Sequence, residues 1–140
     1  MSKLACIVVS MLMTNVIPAA AQTAIPDLRG TWKGESESIV FGGGNDHHAA
    51  TRPAEAELRS IPFTLTIEKQ DGRRFSGTFS SPRSSEKVVA VISRNGTILL
   101  ADTEGYTIGS IQQPNRIELC YMHSSAAARV ASCTELTKQP

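Results

Sequence analysis

Apolar and polar side chains alternate along the chain from Leu28 to Thr137, in short runs broken by turn residues about every eight to twelve positions. The alternation marks eight strands, at 28–40, 61–69, 73–81, 87–93, 97–102, 106–111, 116–122 and 129–137. No stretch keeps a 3.6-residue apolar repeat. Ala49–Leu58, with Ala54–Glu57 following Pro53, comes nearest and is short enough to read as loop. Connections after residue 61 are short, so sequential strands pair as antiparallel neighbours. The pattern predicts an all-β, eight-stranded up-and-down barrel, an architecture whose interior is filled by side chains or holds one small ligand.

Two hairpins allow a register to be read. Phe63, Leu65 and Ile67 alternate with polar residues, as do Phe75, Gly77 and Phe79. A three-residue loop Gln70–Gly72 would set Ile67 opposite Phe75, Leu65 opposite Gly77, Phe63 opposite Phe79 and Glu68 opposite Arg74. A two-residue turn would set apolar residues against polar ones. At the end of the chain, a turn around Ser125–Ala128 places Ser124 opposite Arg129 and therefore Cys120 opposite Cys133. Asn95-Gly96 marks a third tight turn, but its flanking strands (Val88, Val89, Val91, Ile92; Ile98, Leu99, Leu100) are apolar on both faces, so their register stays open. Apolar residues on the outer face call for cover by a loop or another subunit.

The first residues do not fit the barrel pattern. Lys3, the apolar stretch Leu4–Ile17 and the small residues Ala19-Ala20-Ala21 form the layout of a secretory signal peptide spanning 1–21. Its apolar core is too short and interrupted for a spanning helix. The remaining 22–140 form a single domain with a long loop at 41–60. Export would remove Cys6 and leave Cys120 and Cys133, which an oxidising compartment pairs as a disulfide. Export also removes Lys3 from 14 basic residues, leaving 13 against 13 acidic ones. A chain without net charge offers no basic stripe for nucleic acid, and membrane contact is expected only through the signal peptide. The expected location is periplasmic or secreted.

Leu28-Arg29-Gly30-Thr31-Trp32 resembles the Gly-x-Trp opening of the calycin-like barrels, the lipocalins and avidin-like proteins. Phe75-Ser76-Gly77-Thr78-Phe79 is similar to the Phe-x-Gly-Thr-aromatic strand of avidin-like barrels. The resemblance implies a tryptophan that closes one barrel end and a mouth that receives a small, mostly apolar molecule. It also implies small polar side chains turned toward that ligand, here Ser36 and Ser38. Trp32 is the single tryptophan, whereas avidin-like proteins bring several to their ligand, so biotin binding is not implied. The Gly-x-Trp strand is also similar to the start of bacterial inhibitors of secreted metalloproteases, in which the N-terminal arm, here Gln22–Asp27, blocks the enzyme. Both cysteines lie in the last hairpin, which departs from that family.

Candidate ligand contacts are Trp32, Ser36, Ser38, Phe63, Phe75, Phe79, Tyr106 and Tyr121, with core packing the competing role for each aromatic. Asp46-His47-His48 in the long loop, with His123, supplies metal-type donors, but adjacent histidines in an extended loop point apart, and a solvated Gly-rich loop is the stronger reading. No Gly-x-Ser-x-Gly elbow occurs, and Glu35 and Glu37 share one outward face that suits solvent better than an acid/base pair. The expectation is a binding protein without enzymatic activity, resident metal or cofactor. Its partner is a small, partly apolar ligand or, as the alternative, a secreted protein.

Overall fold

The computed structural model describes residues 25–140. The signal sequence, Cys6 and the arm residues 22–24 lie outside the described residues. Eight strands follow one another: β1 (Gly30–Gly42), β2 (Glu57–Asp71), β3 (Arg74–Ser80), β4 (Ser85–Ile92), β5 (Thr97–Ala101), β6 (Tyr106–Gln113), β7 (Arg116–Ser124) and β8 (Ala128–Lys138). Each pairs antiparallel with the next, and β8 returns to β1, closing the barrel. Closure leaves no unpaired sheet edge along most of the wall.

The first two strands run further than the alternation suggested. Ile39 pairs with Leu58 and Val40 with Glu57, which shortens the long loop from 41–60 to 43–56. β3 reaches only to the Ser80–Thr64 pair, so the start of β2 bonds to β1 alone. That one-sided pairing is why Pro62 is tolerated within the strand: a residue without an N–H costs nothing where no partner waits.

The β2–β3 hairpin corrects the predicted register. Asp71 pairs with Arg74 around Gly72-Arg73, with Gly72 at φ 57°, so the turn has two residues. A bulge at Glu68 then shifts the pairing, giving Ile67 opposite Gly77 and Leu65 opposite Phe79. The extra residue restores the apolar face that a plain two-residue turn would have turned outward. Glu68 consequently pairs with Lys87 (2.7 Å), and Arg74 with Asp71, in place of each other. The last hairpin has the expected register: Ser124 faces Arg129, and Cys120 faces Cys133 in a disulfide with Cα atoms 4.0 Å apart.

The lower half of the barrel is packed solid. Trp32, Leu65, Ile67, Phe75, Ile92, Ile98, Ile117 and Leu136 are buried there. The N-terminal segment seals this end. Leu28 is fully buried, its N–H donates to Gln70 Oε1 (2.7 Å), and its carbonyl accepts from Trp32 Nε1 (2.8 Å). Lys138 Nζ sits 5.5 Å from the Trp32 ring centre and donates to the Asp27 carbonyl. The open end therefore lies opposite, where β3, β5 and β7 finish and the 43–56 loop crosses.

Candidate functional site

The open end is roofed by a loop that its own side chains fold. Asn45 forms the tight turn: its Oδ1 accepts the N–H groups of His47 (3.2 Å) and His48 (2.7 Å), and Gly44 supplies the φ of 74° that the reversal requires. Asn45 Nδ2 donates to the Tyr121 hydroxyl at the end of β7 (3.0 Å). The return leg is held by Glu57 at the start of β2. Its carboxylate accepts from Thr51 N (2.7 Å), Thr51 Oγ1 (2.9 Å) and Arg52 N, and pairs with Arg59 (3.0 Å). Burial pushes this carboxyl up, but the donors from Arg52, Thr51 and Arg59 outweigh it and hold the group below the usual range.

This folding brings the adjacent histidines into the barrel mouth. His47 is 5% and His48 3% exposed, which corrects the expectation of a solvated loop. His47 Nδ1 lies 2.8 Å from Ser81 Oγ, and its Nε2 lies 3.1 Å from Glu86 Oε1. Glu86 is fixed by Thr103, whose hydroxyl donates to Oε2 (2.7 Å). His48 stacks on Tyr121 (5.9 Å, 5°) and leans on Phe63 (5.5 Å). Neither of its ring nitrogens has a hydrogen-bond partner. Burial, with His47 beside it, lowers its pKa from the usual 6.5 to about 4, so the ring is neutral at neutral pH.

Beneath the histidines is a small cavity bounded by Phe63, Phe79, Leu100, Leu119 and Tyr121, with Glu86, Asp102, Thr107, Ser132 and Thr134 as polar members. Phe63 and Phe79 stack at 4.7 Å, and Phe63 also meets both imidazoles. About 20 Å³ is open to the centre of a water-sized sphere, room for about one water with the loop seated. Burial, then the carboxylates of Asp102, Glu104 and Glu86, hold the Tyr121 phenol well above its ordinary pKa; the bond from Asn45 pulls the other way.

Of the residues singled out in the sequence, Phe63, Phe79 and Tyr121 meet at this cavity together with His47 and His48. Ser36 lies on the inner face of β1 opposite the cavity residue Thr134, fully buried, with no partner for Oγ. Ser38 donates to the Arg59 carbonyl (3.1 Å). Trp32 and Phe75 belong to the packed lower half, away from the mouth. Tyr106 stands on the outer wall, 74% exposed, and leaves the set of inner contacts: β6 turns Thr107 inward instead. Gly77 lets the neighbouring strand come close, because a Cβ there would lie 2.1 Å from the Thr66 carbonyl oxygen. His123 Nδ1 donates to the Glu104 carbonyl (2.8 Å), and no group of three metal-type ligands occurs among the described residues.

The sequence pattern does not single out Glu57, Glu86, Asp102, Ser132 or Thr134 as site residues. For Ser132 and Thr134 a signal was present, since they alternate with the outward-facing Cys133 just as Ser36 and Ser38 alternate with Glu35 and Glu37. No protein-family model matches the chain, and no curated protein matches it in sequence. Among solved structures, the S-type phycobiliprotein lyase CPES from Guillardia theta is similar at 12% identity and a TM-score of 0.48, over 81% of this chain and 89% of that one. The expectation of a protein without enzymatic activity is corrected here, the similar structure being a lyase by name.

Proposed function

We propose that the chain is an exported β-barrel that binds a small, partly apolar molecule in its mouth, with the 43–56 loop as a lid. The observation that carries this reading is the set of unpartnered buried atoms in the upper barrel. Both nitrogens of His48 and the Ser36 Oγ lie beside or close to an aromatic cavity without a protein partner. A buried polar group left unpaired costs about 1–3 kcal/mol, so a molecule that pairs these atoms is favoured there. The seated loop leaves space for little more than a water, so the ligand enters as the loop lifts and meets the His48 nitrogens as it settles back.

Titration with the neutral fluorophore N-phenyl-1-naphthylamine tests this. One-to-one binding is expected, and weaker in a variant whose residues 44–52 are replaced by a short Gly-Ser bridge, because the bridge removes His47 and His48 from the lining. Absence of binding in both proteins would count against the reading. Export is checked by the mass of the secreted chain, expected to begin at Gln22.

A second reading, a protein-binding module, is favoured by the outer wall. Val89, Val91, Leu99, Ile108 and Met122 are exposed on neighbouring strands, and large contiguous apolar patches mark interaction surfaces. A chain that stays monomeric at high concentration and binds no secreted protease would argue against it.

A further inference from the structure

We infer that the ligand of the barrel mouth is a small cation with an apolar or aromatic body, an organic amine in its ammonium form. This rests on the ligand-binding reading above and specifies its chemistry. The cavity takes two carboxylates into its lining, Glu86 and Asp102, and no lysine or arginine. Glu86 has His47 as partner, whereas Asp102 has no cationic partner among the described residues: its Oδ1 accepts the N–H groups of Glu104 (2.9 Å) and Gly105 (2.7 Å).

A third carboxylate, Glu104, stands beside the loop, where it accepts from Asp46 N (3.4 Å). Arg83 donates its Nε–H to the Asp46 carbonyl (3.3 Å) and does not line the cavity. The field inside the mouth is therefore negative. An anion would enter against it, and in a site with little water such repulsion is screened weakly.

The apolar lining supports the same sign. Phe63 and Phe79, stacked on each other, and Tyr121, stacked on His48, line the space, so its apolar walls are electron-rich rings. His48 is the independent pointer to a ligand. It is buried, lines the cavity and has both nitrogens unpartnered, and a neutral imidazole offers an acceptor lone pair to an N–H donor. Acceptors, ring faces and carboxylates together suit an ammonium group carried on an apolar skeleton.

Calorimetric titration of the mature chain at neutral pH with three near-isosteric probes decides the matter: 2-phenylethylammonium, neutral 2-phenylethanol and phenylacetate. The ammonium is expected to bind about tenfold more tightly than the alcohol, and the carboxylate most weakly. Asp102→Asn keeps Oδ1 to cap the following turn while removing the charge, and is expected to abolish most of the ammonium's advantage over the alcohol. Glu86→Gln, which keeps the acceptor for Thr103, is the second variant should the first fold poorly. Equal or tighter binding of the alcohol overturns the charge assignment and leaves the small-ligand reading standing. An ammonium preference that survives both substitutions overturns the assignment to these carboxylates, and failure of all three probes overturns both readings.

Discussion

His48 shows what one residue in this mouth does. Its neutral ring is stacked on Tyr121 and shut away from water, and protonation would put an unpaired charge there. The pKa is depressed from 6.5 to about 4, so the native state binds fewer protons than the unfolded chain across that interval. The stabilisation is complete above pH 6.5 and is lost as pH falls through 4. Between these values the lid should loosen first, since His48 belongs to it and reaches water only when it lifts. Proton NMR should show the His48 ring still neutral at pH 5, with faster amide exchange in 43–52 on acidification. A His48→Phe variant should flatten that dependence. A ring titrating near 6.5 would mean that the mouth is open in solution. None of this was legible in the sequence, where two adjacent histidines in a glycine-rich stretch look solvated. Their burial comes from Asn45, which collects both of their N–H groups on a single oxygen.

Strands were legible because alternation is local, and their ends were not, because pairing continues as long as a partner does. β1 and β2 extend each other beyond the predicted limits through Ile39–Leu58, and the β2–β3 turn is corrected by a bulge that no single strand announces. The residues that hold these departures are testable. Glu57→Ala removes the acceptor of Thr51 and Arg52, so the 43–56 loop should exchange its amides at least tenfold faster while the barrel strands keep their protection. Uniform loss of protection would show that Glu57 supports the barrel and not the lid alone. Gly77 is held by the approach of the Thr66 carbonyl, with 2.1 Å left for a Cβ. Gly77→Ala should therefore shift strand β3 and cost about 1–3 kcal/mol in denaturant unfolding. A neutral substitution would mean that β2 and β3 separate there at little cost.

At the scale of the molecule, the two sides of the barrel wall differ. Around β2, β3 and β4 the exterior is charged and hydrogen-bonded, as in the Glu68–Lys87–Thr78 cluster. Across β4 to β7 it is apolar: Val91 lies opposite Leu99, Leu99 opposite Ile108, and Ile108 opposite Cys120, which carries the disulfide to β8. The double-faced apolar strands forecast this, since residues of both parities cannot all face one interior. Inner and outer faces should respond differently to the same substitution. Leu99→Lys with Ile108→Lys, both on the wall, should leave unfolding free energy within about 1 kcal/mol of the parent. Leu100→Ala, one residue along and inside, should cost about 2–5 kcal/mol. If the wall is sticky, sedimentation at rising concentration will show association by the parent chain and a monomer for the double lysine variant. A parent that remains monomeric throughout would leave the outer apolar strip as a bare consequence of strand composition, and would shift the weight of function wholly to the mouth.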